Sequence, residues 1–309
     1  MDKEIVRSPF FYVGDKYKLM PQLKELFPDK INNYIEPFVG GGSSFLNSKG
    51  KRYVLNDIDE NVIALHKELG KYAGKSKLLL KKLYKIIDEY KLSCSYRGIN
   101  VPDELKQKYV KTYYSRYNKE AYNRMKADYN KTKNTLLLYL LLIYGFNHMI
   151  RFNSKGEFNL PVGNVDFNKN VHDALINYLK FRENNEIEFY NNDYQEFLNN
   201  IKISQNDYVF LDPPYLISMS EYNKLWNEKK EVELYNYLDK LDKKGIKFGI
   251  TNLVQHKGKE NRILIDWSKK YNVYNINSNY ISFNDNSIKT NSKEIYVTNM
   301  MIGDDKNAK

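Results

Sequence analysis

The 309-residue chain has a single cysteine, Cys94, and only four histidines, His66, His148, His172 and His256. One thiol excludes an internal disulfide and fits a reducing compartment, so a cytoplasmic location is expected. Scattered histidines with one cysteine give no metal-ligand spacing, and no metal is expected. Long hydrophobic runs are also missing. The opening MDKEIVRSPF lacks the apolar segment of a signal peptide. The longest apolar stretch, LLLYLLLIYGF at 136–146, is too short to span a bilayer and reads as a buried helix. Acidic residues are in deficit, 38 against 49 basic, for a formal charge of +11. That balance points to a polyanionic partner. The chain is crowded with Lys, Asn, Tyr and Ile, residues favoured by AT-rich coding, so composition alone accounts for part of the excess. No tandem repeat is present.

Several short β-branched or aromatic runs read as buried strands: 33–38, 52–57, 186–193, 207–215 and 246–252. Two more, 271–277 and 294–300, flank a polar stretch and suggest a closing hairpin. Helical spacing separates most of these runs, at 59–69, 194–201, 231–244 and 259–271. Alternating strand and helix implies an α/β fold with a mostly parallel, doubly wound sheet. The alternation breaks between about 75 and 165, where dense charge and helical spacing indicate a helical domain inserted into the sheet domain. The expected division is 1–74, 75–165 and 166–309. Within the insertion, residues 105–133 carry nine Lys or Arg against two acids, interleaved with six tyrosines. Basic groups pair with phosphates and aromatic rings stack on bases. A solvated helix face whose tyrosines turn to a core is the plainer alternative.

Two strand ends carry candidate chemistry. In FLDPPYLIS, 210–218, an apolar run meets an acid, two prolines and a tyrosine. Neither proline can donate to a sheet, so the strand stops and Asp212 stands at its carboxyl end, the edge where α/β sheets bind ligands. In EPFVGGGSSF, 36–45, three glycines follow the first strand and permit a tight turn with close backbone approach. The turn lacks the Gly-Lys-Ser/Thr ending of a P-loop. Asp57, seventeen positions after Gly40, ends the next strand, where nucleoside-binding sheets carry a ribose acceptor. Asp57 or Asp59 could instead cap the following helix. Asp193 is likewise either a helix cap or an adenosine contact. Ser43 and Ser44 suit a helix cap beside the glycine turn. Trp226 and Tyr222 read as core or pocket wall.

Taken together, these motifs resemble the Dam-like, α-order DNA adenine-N(6) methyltransferases over nearly the whole chain. FYVGDKYKLMPQLKELFP resembles the family's first S-adenosylmethionine motif, EPFVGGGSSF its glycine turn, LNDIDENVI its ribose site, FYNNDYQEF the next strand end and DPPY its catalytic motif. GFNHMIRFNSKGEFNLPVG, 145–163, is similar to its DNA-reading segment. Phe11, Tyr12 and Asp15 depart from the family's usual Lys, Trp and Gly, yet leave a stacking surface and Lys16. His148 and Met149 depart from the usual Gly-Leu, which bears on the target sequence.

The resemblance implies a Rossmann-like S-adenosylmethionine-dependent methyltransferase sheet with an inserted target-recognition domain, acting on adenine in double-stranded DNA. It implies cofactor contacts from Tyr12, Lys16, Phe38, Gly40, Gly42, Asp57, Asp193 and Asp212. It implies DNA contacts from Asn147, Met149, Arg151 and Pro161. The methyl acceptor is an amino nitrogen whose lone pair is delocalised into the ring. Acceptors on its N–H groups favour the tetrahedral geometry of the transition state. Asp212 offers a carboxylate oxygen, Pro213 a rigid carbonyl, and Tyr215 a ring to stack on the base. The base must first flip out of the duplex. The expected partners are double-stranded DNA and, within a restriction–modification system, a cognate restriction endonuclease. Rival readings are a catalytically silent DNA-binding protein of the same fold, or a methyltransferase of RNA adenine or of protein glutamine. Glutamine enzymes usually carry Asn at the position of Asp212.

Overall fold

Short runs of β-branched and aromatic residues, each cut by a turn former, become the strands of one sheet. A computed structural model describes residues 5–218, 226–277 and 292–301. The strands are β1 (Ile31–Glu36), β2 (Gly50–Asn56), β3 (Glu186–Tyr190), β4 (Tyr208–Leu211), β5 (Lys247–His256), β6 (Lys259–Glu260), β7 (Asn272–Ile276) and β8 (Ser292–Thr298). The helices are α1 (Met20–Leu26), α2 (Glu60–Gly70), α3 (Ser76–Tyr90), α4 (Asp103–Lys108), α5 (Tyr113–Thr132), α6 (Thr135–Tyr144), α7 (Lys169–Glu183), α8 (Tyr194–Asn200), α9 (Glu228–Lys243) and α10 (Arg262–Ser268). The chain is thus α/β, with the sheet expected of an S-adenosylmethionine-dependent methyltransferase. Among the described residues no helix is long and apolar enough to cross a membrane.

The chain divides into two compact units. One consists of Lys18–Val39, Asn47–Ile58 and Glu186–Lys309 and holds every strand. Its sheet runs β3-β2-β1-β4-β5-β8-β7, with β6 paired to β5. Strands β3, β2, β1, β4 and β5 are parallel, and β8 and β7 form the antiparallel hairpin expected at the end. Strand order reverses between β1 and β4, the topological switch point at which open sheets bind ligands.

Side-chain alternation gives this sheet two different faces. Ile35, Val54, Val209, Leu211, Phe248, Ile250, Ile295 and Val297 join the buried residues of α8, α9 and α10 in one apolar cluster. The other face is aromatic. Phe27 packs its ring against Tyr34, Tyr208 and Phe210, at centroid distances of 6.1, 5.4 and 5.1 Å. The Tyr208 and Tyr296 hydroxyls meet at 2.6 Å over Gly249. A Cβ at Gly249 would fall 2.1 Å from one hydroxyl and 2.3 Å from the other, so no larger residue fits there.

The other unit, Met1–Tyr17, Gly40–Leu46 and Asp59–Asn185, contains α2 to α7. Residues 75–165 therefore fall within it, together with the glycine turn and α7. Helix α6 is buried at every position from Leu136 to Tyr144, as an all-apolar run demands, and Asn134 caps it by accepting the Leu136 N–H. On the longer and more polar α5 only Asn118, Ala121, Tyr122, Met125 and Tyr129 are buried. Two of the six tyrosines in 105–133 thus turn to the core and four stay partly exposed. Lys108, Lys111, Arg116, Lys119, Arg124, Lys131 and Lys133 are exposed.

Candidate active site

Strand β4 is buried at all four positions, and the two prolines end it. Its last pair is Leu211 with Ile250 of β5, so the next residues, Asp212 and Thr251, fall side by side. The Thr251 hydroxyl donates to Asp212 Oδ1 at 2.8 Å. The Tyr215 hydroxyl lies 2.9 Å from the same oxygen and 2.7 Å from Glu294 Oε1 on β8. Thr251 donates to that oxygen, whereas the single Tyr215 proton is shared between the reach of Asp212 and that of Glu294. The Tyr215 ring is only 9% exposed and packs with Ile217 and Leu253. Stacking on a base would have to use the small part of the ring left open. The backbone closes behind it, with the Ser218 N–H on the Tyr215 carbonyl at 3.0 Å.

The ends of β1, β2 and β3 are tied together by Asn56. Its Nδ2 donates to the carbonyls of Pro37 and Asn192 at 3.1 and 3.0 Å, and its Oδ1 accepts the Asn192 N–H at 3.0 Å. Its own carbonyl takes the Val39 N–H at 2.9 Å. Asp57, partly exposed, follows directly, and Asn191 Nδ2 holds its carbonyl at 2.9 Å. Glu36, at the end of β1, is 1% exposed. Phe38 packs against Tyr194 and Trp226 at 5.2 and 5.8 Å, and the indole N–H of Trp226 donates to buried Glu231 at 2.7 Å. Trp226 thus belongs to the buried core, one of the two expected alternatives. Tyr222 lies outside the described residues. Asp193 caps α8 through the Gln195 N–H at 2.9 Å and pairs with Lys230 at 3.6 Å.

In the other unit, Gly40 and Gly42 take φ values of +46° and +84°, which side-chain-bearing residues rarely adopt. A Cβ at Gly41 would lie 2.8 Å from Tyr12 Cβ, and one at Gly42 would strike the Phe45 ring at 2.3 Å. The turn is pinned as well as tight. Ser8 Oγ donates to the Gly41 carbonyl at 2.5 Å, and His66 Nε2 to the Gly40 carbonyl at 2.9 Å. The turn runs into a single 3-10 turn, Phe45–Asn47, not the α-helix that the two serines suggested. Asp59, not Asp57, caps α2. Lys16 is 8% exposed, with Nζ 3.4 Å from the Gly14 carbonyl. The Asp15 carboxyl beside it is pushed up by burial, against the lowering effects of the Tyr17 N–H, Arg7, Ser43 and Lys16.

The 145–163 segment is a folded loop. Gly145 bridges Val162, Phe152 bridges Phe158, and Asn130 of α5 clamps the Phe158 backbone from both sides, at 3.1 and 2.8 Å. Asn147 and His148 are consecutive left-handed residues, with φ of +53° and +49°. Phe146, just before them, is 50% exposed. Asn147 and Pro161 are exposed and Met149 partly so. Arg151 is braced: its Nε donates to Asn159 Oδ1 at 2.9 Å and its Nη2 to the Asn159 carbonyl at 3.0 Å.

The residues expected from sequence therefore form three groups: Asp212, Pro213 and Tyr215 with Phe38, Asp57 and Asp193 along the sheet edge; Tyr12, Lys16, Gly40 and Gly42 at the glycine turn; and Asn147, Met149, Arg151 and Pro161 on one loop. Thr251 and Glu294 escape sequence reading; Asn56 and Asn159 fall inside quoted motifs without a role assigned to them, and His66 occupies an apolar-face position of α2 between Val62 and Leu69.

A comparison with known families matches residues 12–281 to the D12 class N6 adenine-specific DNA methyltransferases. The type II methyltransferase M.FokI of Planomicrobium okeanokoites is 32% identical over 302 residues, 95% of this chain and 43% of the relative. The modification methylase StsI of Streptococcus sanguinis is 32% identical over 309 residues, 96% of this chain and again 43% of the relative. This chain thus spans less than half the length of these two relatives. The DNA adenine methylase of Haemophilus influenzae is 29% identical over 221 residues, 71% of this chain and 68% of the relative. The chain belongs to the D12 class N6 adenine-specific DNA methyltransferase family.

Proposed function

We propose that this chain transfers a methyl group from S-adenosylmethionine to the exocyclic amino group of adenine at a specific sequence in double-stranded DNA, acting in the cytoplasm. The observation that carries the reading is Asp212 at the end of β4, which accepts the Thr251 hydroxyl, has the Tyr215 hydroxyl 2.9 Å away and is followed by two prolines. Transfer would form an N–C bond as the cofactor's methyl–sulfur bond breaks to leave a neutral thioether, and the proton lost from the nitrogen would pass to water. Asp212 accepts an N–H as positive charge grows on the nitrogen, and the Pro213 carbonyl, rigid between prolines, accepts the other. Tyr215 offers the exposed part of its ring to the flipped base.

The cofactor, when bound, supplies an electrophilic methyl group on a sulfonium. The residues present suit an adenosyl group. At Gly40 the nearest atom to an added Cβ is Tyr12 Cδ1, 3.9 Å away, so a turn without side chains opens beside an aromatic ring. In the unit of the glycine turn, Gly42 and Lys16 are further proposed contacts; in the sheet unit, taken by itself, Asp57 is the proposed hydroxyl acceptor and Phe38 and Asp193 the proposed adenine-side contacts. Residues 75–165 serve as the target-recognition domain, with Arg151, Asn147, Met149 and Pro161 reading bases. Exposed Phe146 is of the kind that wedges between base steps. The names of the relatives support a restriction–modification setting, in which a cognate restriction endonuclease is the partner. The test is to incubate the protein with methyl-labelled S-adenosylmethionine and either duplex DNA or RNA, in parallel, and to digest the products. N6-methyladenine is expected. Label in RNA alone, or DNA binding with no transfer, would overturn the reading.

A further inference from the structure

Strand β8 reads SKEIYVT, and its Ile295, Tyr296 and Val297 are buried, as its place between β5 and β7 requires. Glu294 in the same strand is 0% exposed. Burying a carboxylate costs several kcal/mol before compensation, so this position calls for a specific partner. Alternation and register identify it. Leu253 pairs with Glu294 and Thr251 with Tyr296, so Glu294, Tyr296 and Thr251 share one face of the sheet. Phe210 pairs with Gly249, which sets Asp212 on that same face beside Thr251. Strand β8 runs antiparallel to β5, so its beginning lies at the edge where β4 ends. Tyr215 bridges the gap, with its hydroxyl 2.7 Å from Glu294 and 2.9 Å from Asp212.

We propose that Glu294 is a positioning residue for methyl transfer, which holds the Tyr215 hydroxyl and through it the Asp212 carboxylate. The inference rests on the reading of Asp212 as the group that meets the amino nitrogen. The Tyr215 hydroxyl has one proton and lies within hydrogen-bond distance of both carboxylates, so whatever Glu294 does to that hydroxyl is felt at Asp212. Thr251 meets Asp212 Oδ1 from β5 and Tyr215 meets it from the loop, and together they set the orientation of the carboxylate. Glu294 supplies the fixed end of that arrangement, because β8 is hydrogen-bonded on both sides, to β5 and to β7. Tyr215 is thereby more than a stacking ring: its hydroxyl ties the catalytic loop to the third strand along from β1 on the far side of β4.

The experiment compares Glu294→Gln, Glu294→Asp and Glu294→Ala in the full chain, with Tyr215→Phe and the double variant Tyr215→Phe/Glu294→Ala. Gln keeps the reach to the hydroxyl, whereas Asp keeps the charge and shortens the arm. The expected order of kcat is parent, then Gln, then Asp and Ala, with Ala down by about tenfold or more and the KM for DNA within about threefold of the parent. Because Glu294 acts through Tyr215, adding Glu294→Ala to Tyr215→Phe should lower kcat by no more than about twofold further. A loss that multiplies in the double variant would reduce Glu294 to a packing role. If Glu294→Ala does not fold, the remaining pair decides: Asp equal to or better than Gln overturns the proposal. Asp212→Ala is run alongside. A flat Glu294 series with Asp212→Ala inactive would sink Glu294 alone, and an active Asp212→Ala would sink the reading beneath it.

Discussion

His66 Nε2 lies 2.9 Å from the Gly40 carbonyl oxygen, and its Nδ1 lies 2.9 Å from the Tyr178 hydroxyl. A carbonyl only accepts, so Nε2 carries the proton and Nδ1 takes one from Tyr178. The imidazole is neutral and fully satisfied. Burial is the main reason that its pKa falls to about 3, against the raising effect of the Gly40 bond, with Arg182 lowering it further. The residue that holds the glycine turn is therefore one that resists protonation.

The sign of the resulting pH dependence follows from this depression. The unfolded chain binds a proton at His66 below about pH 6.5, while the folded chain does so only near 3. The stabilisation is complete above the unfolded value and is lost as pH falls toward the folded one. Between those limits His66 should contribute a slope of about 1.4 kcal/mol per pH unit. Urea unfolding of the parent and of His66→Gln at pH 7.5, 6, 5 and 4.5 measures it. Gln offers a donor and an acceptor without titrating, so its stability should fall less steeply. Parallel curves for the two proteins would show that His66 is not the group responsible.

Asp212→Ala should lower turnover by on the order of a hundredfold or more, the effect of removing one transition-state acceptor. DNA affinity in filter binding should change little, because the carboxylate is engaged by Thr251 and Tyr215 within its own unit. A variant that turns over at a near-normal rate would take Asp212 out of the chemistry.

How much of this is legible in the sequence depends on how far apart in the chain the partners lie. The strands, the doubly wound order and the closing hairpin follow from alternation and from turn formers such as Pro213, Pro214 and Gly40 to Gly42, which act locally. Asp212 announces itself for the same reason. Its supports do not. Thr251 and Glu294 reach it only through the register of β4 on β5 and β5 on β8, and a bulge between Leu253 and Gln255 interrupts that register. The exchange of an expected helix for a 3-10 turn after Ser44 is equally hidden, because Phe45 fills the space against Gly42 instead of starting a helix. Helix α7 does carry an apolar stripe, Val171, Ala174, Leu175, Tyr178 and Leu179, but it follows the break in strand and helix alternation.

The exposed basic residues at the start of 105–133 should supply affinity without sequence preference. Lys108 and Lys111 are exposed, and charge reversal at both should weaken binding to all duplexes alike. The slope of log affinity against log salt should shrink by about one unit for each phosphate that is no longer neutralised. Titrations of one specific and one unrelated duplex at several salt concentrations give the answer. An unchanged slope would make this part of the segment a solvated face.

Arg151 should read a base, and the way Asn159 holds it explains how. The guanidinium has five N–H donors, and Asn159 takes one from Nε and one from Nη2. The bracing fixes the plane of the group, and the two Nη nitrogens still present an end-on fork of the kind that meets O6 and N7 of guanine in the major groove. The loop that carries it is itself held, since Gly145 bridges Val162 and Asn130 clamps Phe158. Rigidity of this kind suits a residue that reads a fixed pattern of acceptors. Turnover of the parent and of Arg151→Ala should be compared on duplexes altered at one position of the site at a time. Discrimination should relax at one base pair by roughly 1–3 kcal/mol and persist at the others. Asn159→Ala should relax the same position by a smaller amount, because the fork remains but is no longer held. Equal loss on every duplex would instead assign Arg151 to a phosphate, which positions the protein without reading sequence.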